Sequence, residues 1–222
     1  MKKLLLIVLI LLSMSAFAQK KKWVNLFDGK TTNGWHSWKE TSVKGWHVMD
    51  GILMTNGGNG DLVSDKEYGD YILEFEFKCN PKGNSGLIYK VLEDPTNKEL
   101  FSSYASGPEF QIIDDVNYPD KINDVQKTGA NYDIQPPMDL KAVKPAGEWN
   151  KGKLVIKNNM IEHFVNGSKT ASYEYGSVKW QDDVSGSKFA KWPYAVAHAK
   201  GKIALQDHGD MVSFRKIRIK EL

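Results

Sequence analysis

Stretches in which apolar and polar residues alternate dominate the chain. In residues 71–79 every odd position is apolar or aromatic, while positions 74, 76 and 78 are Glu, Glu and Lys. A period of two residues is typical of a β-strand with one face in a core. This stretch therefore predicts a strand, and it places Cys79 on the apolar face as a small core residue.

Further short apolar segments between turn residues predict the other strands, at residues 87–91, 109–113, 153–157, 161–165, 168–175, 202–206 and 211–220. Asn158-Asn159 and Asn166-Gly167 have the composition of tight hairpin turns. A dense turn cluster fills residues 81–86. We therefore expect strands 71–79 and 87–91 to pair as a hairpin.

The pattern as a whole indicates an all-β fold. Helical periodicity over three or more turns is absent, and only residues 176–192 leave room for a short helix. Residues 114–147 form the longest irregular part, and a loop of that length in a compact domain is more often functional than idle. Many short strands with Gly/Pro turns predict a two-sheet antiparallel β-sandwich or jelly roll. We expect residues 19–222 to form a single domain of this kind.

The N-terminus departs from this pattern. Lys2 and Lys3 precede an unbroken apolar run over residues 4–12, and a small-x-small cleavage motif ends at Ala18. These are the parts of a secretory signal peptide, and the apolar run is too short to cross a bilayer. We expect an exported protein, periplasmic or extracellular, that is cleaved after Ala18 and has no membrane span.

Charge and cysteine content narrow the range of partners. The chain has 30 Lys and Arg against 27 Asp and Glu, and loss of the two signal-peptide lysines leaves 28 against 27, a net charge of +1. No dense basic patch interleaved with aromatic residues occurs, so nucleic acid is not an expected partner. Cys79 is the only cysteine, which excludes an internal disulfide. None of these features fixes the oligomeric state.

The sequence contains no motif that by itself specifies a chemistry. Metal-ligand spacings of the His-x-x-x-His or Cys-x-x-Cys kind, a Gly-x-Ser-x-Gly elbow, a P-loop and a dinucleotide fingerprint are all missing. What remains is the outward side of the strands. If the strands are neighbours in one sheet and Ile88 points inward, one outer surface carries Glu76, Tyr89, Glu109, Gln111, Gln206 and His208.

Such a surface has the chemistry of a carbohydrate site. Amides, carboxylates, a phenol and an imidazole supply both donors and acceptors to a polyhydroxylated ligand, and they offer candidates for acid–base catalysis. Each position is equally an ordinary solvated strand residue, and His208 lies in a polar turn. His163 alternates with Ile161 and Val165 and is predicted to lie in the core.

Tryptophan is frequent, with seven residues in the chain. Sugar rings stack on exposed aromatic faces, whereas tryptophan more often fills cores and pins turns. Trp38 and Trp192 lie in polar, loop-like contexts. We expect these two to contact a sugar.

Several motifs come in the order seen in one family: NLFDGK (25–30), GW (34–35), GNSG (83–86), GPEFQIID (107–114), TGANYD (128–133), GEWN (147–150), GKIALQDHG (201–209) and FR (214–215). From about Trp23 to Leu222 the chain resembles the 3-keto-disaccharide hydrolase family. The resemblance implies a concanavalin A-like jelly roll and cleavage of glycosides whose sugar carries a ketone at C3. One departure is Lys216, which stands where the family tends to have Asn.

The resemblance implies that the site is lined by Asn84, Glu109, Gln111, Asp114, Gln206 and His208. Asn84 and Asp114 are equally suited to fixing turns. The Glu-x-Asp-x-x-Glu strand of the retaining glucanases that share the fold is missing. A double-displacement mechanism is therefore disfavoured.

A ketone at C3 suggests a different route, because it acidifies the proton on C2. A base removes that proton, the substituent on C1 leaves, and water adds to the unsaturated ketosugar. Glu109 and His208 would be base and acid, in either order, with Gln111 and Gln206 as donors to the enolate. No cofactor is established by the sequence. A divalent cation held by Asp114 or Glu109 is an alternative to the amide donors.

Two other functions remain open at this point. A carbohydrate-binding module without catalysis is the main alternative, because the same sandwich hosts both kinds of protein. A protein that binds other proteins through residues 114–147 is the third, and the polarity of that loop disfavours it.

Overall fold

The computed structural model describes residues 21–222, and the predicted signal peptide lies outside them. These residues form one short α-helix, α1 (Val178–Ser185), three single-turn 3-10 helices (Ser103–Ala105, Asp124–Gln126 and Pro193–Ala195) and thirteen strands. In chain order the strands are β1 (Val24–Asn25), β2 (Trp35–Ser37), β3 (Trp46–Met49), β4 (Ile52–Thr55), β5 (Leu62–Ser64), β6 (Tyr71–Cys79), β7 (Asn84–Val91), β8 (Glu109–Ile113), β9 (Asn150–Lys157), β10 (Met160–Val165), β11 (Ser168–Glu174), β12 (Lys202–Leu205) and β13 (Val212–Glu221).

The strands form two antiparallel sheets, which confirms the predicted sandwich. Sheet A has the order β11-β10-β9-β6-β13-β4-β3, and β1 also pairs with β13. Sheet B has the order β2-β5-β12-β7-β8. In the described part of the chain no helix has the length and apolar composition that a membrane crossing requires.

The core lies between the sheets and follows from the alternation in the sequence. In β6 every odd residue is buried, and every even residue is partly exposed. Phe75 of β6 meets Phe110 of β8 edge to face, with ring centroids 5.4 Å apart. Such aromatic pairs add to the burial that drives the sheets together.

Two predicted core residues are confirmed. Cys79 is buried at the end of β6, and burial raises the pKa of its thiol to about 12. His163 of β10 is fully buried, and burial lowers the pKa of its imidazole to about 4. His163 is therefore a neutral packing residue at physiological pH.

The predicted hairpin between strands 71–79 and 87–91 is wrong. β6 pairs with β9 and β13 in sheet A, whereas β7 pairs with β12 and β8 in sheet B. The turn cluster between them carries the chain from one sheet to the other. Turn residues mark where a chain reverses, but they do not determine which strand edge it joins afterwards.

Two irregular segments complete the structure. Helix α1 falls inside the window predicted for a short helix, and its N-cap Ser177 accepts a hydrogen bond from Trp180 N at 3.2 Å. Part of the long 114–147 segment runs beside β8, where Gly129 N donates to Gln111 O (2.9 Å) and Tyr132 N to Glu109 O (3.1 Å). The segment thus covers an edge of sheet B that would otherwise be open.

Candidate active site

The outer face of sheet B presents its side chains in rows that cross the strands. Backbone hydrogen bonds from Trp38 N to Asp61 O (2.8 Å) and from Gln206 N to Gly86 O (2.9 Å) set the register. Gly86 is paired in turn with Gln111. One row is therefore polar, and it holds Trp38, Asp61, Gln206, Gly86 and Gln111.

The neighbouring row of side chains is mostly apolar and forms the bottom of the site. Val63, Ile88, Val91 and Ala204 form a small cluster separate from the main core, and Trp38 and Tyr104 pack against it. Glu109 lies at the end of this row, because it pairs with Ile88. A largely apolar surface with a few convergent polar groups is the usual composition of a small-molecule site.

Glu109 lies across Gly86, and only glycine permits this. A Cβ at position 86 would collide with a carboxyl oxygen of Glu109 and would lie 2.7 Å from its carboxyl carbon. The absent side chain therefore opens the space in which the Glu109 carboxyl lies flat on the sheet. This explains in physical terms why the turn segment 83–86 continues into the strand with a glycine.

The environment of Glu109 keeps its carboxyl group neutral. Only 6% of the residue is exposed, and the described residues provide no hydrogen-bond partner for its carboxyl oxygens. Burial raises the pKa of Glu109 to about 8; the charge of Lys188 opposes the rise and that of Asp61 adds to it. At neutral pH Glu109 is thus a carboxylic acid with a proton to give.

Asp61 is a second buried carboxyl group, and the alternation of apolar and polar residues does not predict it. Its oxygens accept hydrogen bonds from Ser103 Oγ and from Asp207 N (2.9 Å). Burial raises the pKa of Asp61 to about 6, so it is largely ionised at neutral pH. Its only signal in the sequence is its position after a glycine-rich turn and directly before the short apolar strand β5.

Unpartnered amide groups lie on the same face. The Gln111 Oε1 atom accepts a hydrogen bond from Ile112 N at 3.0 Å, which leaves the Gln111 amide nitrogen as a donor. Gln206 Oε1 and Asn84 Oδ1 are buried and have no hydrogen-bond partner among the described residues. Buried polar atoms normally find partners, so these atoms indicate a place where hydroxyl groups of a ligand bind.

His208 lies at the rim of this face, in the turn that follows β12. Its side chain is exposed, and it follows Asp207, whose backbone N donates a hydrogen bond to the Asp61 carboxylate at 2.9 Å. The turn is held in place by Asp207, whose carboxylate accepts hydrogen bonds from Gly58 N (2.8 Å) and Asn59 N (2.9 Å).

The predicted tryptophans both lie near this face. Trp38 is at one end of the polar row, and its buried Nε1 has no partner among the described residues. Trp192 packs edge to face against Phe101, with centroids 5.1 Å apart, and lies 5.9 Å from Tyr104. Trp38 and Tyr104 border the apolar row, whereas Trp192 packs against the main core and reaches this row only through Tyr104. Aromatic side chains in such positions suit the apolar faces of sugar rings.

Two predicted site residues do not belong to this face. Tyr89 points into the core, where its hydroxyl contacts His163 Nε2 at 2.7 Å, because Ile88 and not Tyr89 faces outward. Glu76 lies on sheet A, on the opposite side of the sandwich, and is bonded to Arg215 Nε at 2.7 Å. The assumption that β6 and β7 are neighbours caused the second error.

Asp114 fixes a turn. Its carboxylate accepts hydrogen bonds from Lys82 N (2.8 Å), Val116 N (3.1 Å) and Asn117 N (3.0 Å). Burial favours its neutral form, but these bonds outweigh burial and lower the pKa of Asp114. Between residues 21 and 222 no three His, Cys, Asp or Glu side chains are grouped so that they could hold a metal ion.

A large open cavity lies elsewhere, on the outer face of sheet A. It has a volume of about 700 Å³, and Glu74, Glu76, Lys151 and Lys153 are among its lining residues. The volume of this cavity would favour it as the catalytic site, whereas the state of the carboxyl groups favours the outer face of sheet B. The carboxylates of the sheet A cavity are paired with Lys and Arg, whereas burial raises the pKa of Glu109 and of Asp61 on sheet B.

Comparison with known proteins gives consistent matches. The model of a family described as the 3-keto-alpha-glucoside-1,2-lyase-like domain matches residues 22–220. A 3-keto-disaccharide hydrolase of Bacteroides thetaiotaomicron is 35% identical over 230 residues, covering 90% of this chain and 78% of the relative.

Two crystal structures of candidate glycosyl hydrolases from Parabacteroides distasonis have the same architecture. The first aligns with a TM-score of 0.84 at 36% identity and covers 90% of this chain and 94% of its own. The second aligns with a TM-score of 0.71 at 26% identity and covers 90% of this chain and all of its own.

Proposed function

Since the chain belongs to the family of 3-keto-alpha-glucoside-1,2-lyase-like domains and is a glycosidase-type hydrolase, we propose that its substrates are glycosides with a ketone at C3. The related enzyme from Bacteroides thetaiotaomicron supports this substrate class by its name. The reaction takes place on the outer face of sheet B, where the unpartnered amides bind the sugar.

One observation carries the assignment: Glu109 is buried and neutral beside the ionised Asp61. Pairs of titratable groups whose environments separate their pKa values mark acid and base roles. A module that only binds sugar does not need a carboxyl group that is neutral at physiological pH, whereas protonation of a leaving oxygen requires one.

The reaction proceeds by elimination and hydration. His208 removes the proton on C2, which the neighbouring ketone acidifies. The C1–O bond breaks as Glu109 protonates the departing glycosidic oxygen. The Gln111 amide donates a hydrogen bond to the enolate oxygen at C3. Water then adds its hydroxyl group to C1 and a proton to C2, which regenerates the 3-ketosugar.

The test is isotope incorporation during turnover in heavy water. Elimination and hydration place deuterium on C2 of the released ketosugar, which mass spectrometry detects, whereas direct displacement at C1 leaves C2 unlabelled. In the His208→Ala variant we expect kcat/KM to fall by about 10²-fold or more, as for loss of a general base. Turnover without label at C2 contradicts the elimination route, and an unchanged rate in the variant removes His208 from the mechanism.

We also propose that the protein is exported. The basic, apolar and small-residue segments at residues 1–18 support this. The N-terminal sequence of the mature protein tests it, with Gln19 expected as the first residue.

A further inference from the structure

The groove on the outer face of sheet A is a separate feature of the molecule. It has a volume of about 700 Å³ and is lined by residues of β1, β6, β9, β10 and β13 together with nearby turns. The Glu109 site uses none of its residues. The charges of its own lining residues therefore determine which ligand it can bind.

Basic side chains outnumber acidic ones around the two glutamates of β6. Glu74 is paired in register with Lys153 of β9 and Arg218 of β13, and Glu76 with Lys151 and Arg215. Each carboxylate therefore lies between two cations on neighbouring strands. Two negative charges cannot neutralise all of them.

The hydrogen bonds show which cations are left over. Glu74 accepts from Arg218 at 2.6 and 2.8 Å, and Glu76 accepts from Arg215 at 2.7 Å and Lys216 at 3.0 Å. These bonds outweigh burial and hold the pKa of Glu76 below its usual value. Both glutamates are thus paired with basic residues of β13.

Lys151 and Lys153 have no acidic partner within ion-pair distance among the described residues. Lys153 Nζ instead lies 3.8 Å from the centroid of the Phe164 ring. The ring carries no net charge, so this contact leaves the positive charge of Lys153 without a neutralising partner. Because residues i and i+2 of a strand point to the same face, the two lysines place two positive charges on one side of the groove.

The backbone of β13 is adapted to this groove. A β-bulge lies between Arg215 and Arg218, and Lys216 adopts a left-handed conformation with φ of +53°. The bulge brings the adjacent side chains of Arg215 and Lys216 to the same carboxylate of Glu76, whereas a regular strand would point them to opposite faces. Such bulges and backbone strain are concentrated at binding sites.

We propose that this groove binds an acidic oligosaccharide with one carboxylate on each sugar, that is, a uronic acid oligomer. The lining holds four basic residues, Lys151, Lys153, Lys216 and Arg218, against Asp28, Glu74 and Glu76. This small surplus fits a ligand with few charges and many hydroxyl groups. Glu74 Oε1 is free to accept a hydrogen bond from such a hydroxyl, because both bonds from Arg218 go to Glu74 Oε2. A densely sulfated chain would meet repulsion from the same glutamates. The inference goes beyond the proposed function and does not depend on it.

The test measures binding of oligogalacturonate by titration calorimetry to the wild type and to the double variant Lys151→Gln, Lys153→Gln. We expect the affinity to fall at least tenfold in the variant and to weaken with added salt in the wild type. The matched control is Lys98→Gln, Lys121→Gln, which removes two exposed charges from other loops and should change the affinity less than twofold. Turnover of a 3-keto-glycoside should stay within twofold of the wild type in both variants.

Several outcomes overturn the proposal. They are no binding at millimolar ligand, equal affinity of wild type and Lys151/Lys153 variant, or equal affinity for neutral cello-oligosaccharide. Tighter binding of a heparin oligosaccharide, or of vesicles containing phosphatidylglycerol, would assign the groove to a sulfated chain or a lipid surface instead. A loss of turnover in the Lys151/Lys153 variant would also overturn it, because the two sites would then not be independent.

Discussion

The two outer faces of the sandwich are built from the same alternating strands, yet their carboxyl groups behave in opposite ways. Glu76 on sheet A lies between Arg215 and Lys216, and its pKa is lowered. Glu109 on sheet B has no such partner, and burial raises its pKa to about 8. The pattern of polar residues in a strand does not predict this difference.

The two outer faces differ in the loops that cover them. The segment around Ser103–Ala105 lies against β7, and Ser103 reaches Asp61. Residues 129–132 run along β8, and Lys188 lies near the Glu109 carboxyl. On sheet A the charges remain in contact with water and with one another. Loops therefore turn an outward strand position into an acid–base group, since the burial they impose is the largest cause of the raised pKa of Glu109.

The largest effect on activity is expected from replacing the buried carboxylic acid of Glu109. In Glu109→Gln the side chain keeps its shape but cannot protonate the leaving oxygen, so we expect kcat/KM for a 3-keto-glycoside to fall by about 10³-fold. Steady-state kinetics measure this. A loss below tenfold would show that Glu109 is not the acid, and circular dichroism controls for folding.

The second largest effect is expected at Gly86, where the absence of a side chain leaves room for the Glu109 carboxyl group. Gly86→Ala should displace the Glu109 carboxyl and reduce kcat/KM by about 10²-fold. Its backbone is not in the left-handed region, so the clash is the main cost. In a Glu109→Ala background the same substitution should cost little free energy of unfolding, which denaturant titration measures. An equal cost in both backgrounds would contradict the proposed contact.

The pH dependence of stability gives a third test. In the folded state the Glu109 carboxyl stays protonated up to a pH of about 8, whereas an ordinary glutamate ionises near 4.5. The folded state therefore binds more protons between these values, so this contribution to stability is lost as pH rises through that window. We expect the melting temperature of the wild type to fall between pH 5 and 8 relative to Glu109→Gln. A constant difference between them would contradict the raised pKa.

The smallest effect is expected on sheet A. Glu74→Gln breaks an exposed ion pair with Arg218, and such pairs contribute about 1 kcal/mol or less. The free energy of unfolding should change by no more than this, and kcat/KM should stay within twofold. A large loss of activity would mean that the two faces are coupled.

The sequence predicted best where alternation was clean. β6 and β8 have the bounds expected for them, because one side of each strand is apolar over its full length at the core. β2 to β5 were not predicted, since strands of three or four residues are too short to show a period. In β7, Leu87, Ile88 and Tyr89 are all apolar or aromatic, so the sequence could not indicate that Ile88 faces outward.

Site residues divide in the same way. Glu109, Gln111 and Gln206 reach one face because their strands alternate regularly. Asp61 could not be found from sequence, because its importance comes from Ser103 and Asp207, which are distant along the chain. The assignment of Glu76 failed for the same physical reason: which strand pairs with which is decided by packing of the whole core.

The position of β13 in sheet A has a consequence for synthesis. This ten-residue strand pairs with β1, β4 and β6, yet it follows every other strand along the chain. During translation β4 and β6 cannot complete their pairing in sheet A until β13, which lies between them and ends at residue 221, has left the ribosome. Closure of sheet A therefore depends on contacts between distant parts of the chain, and we expect folding to be slow.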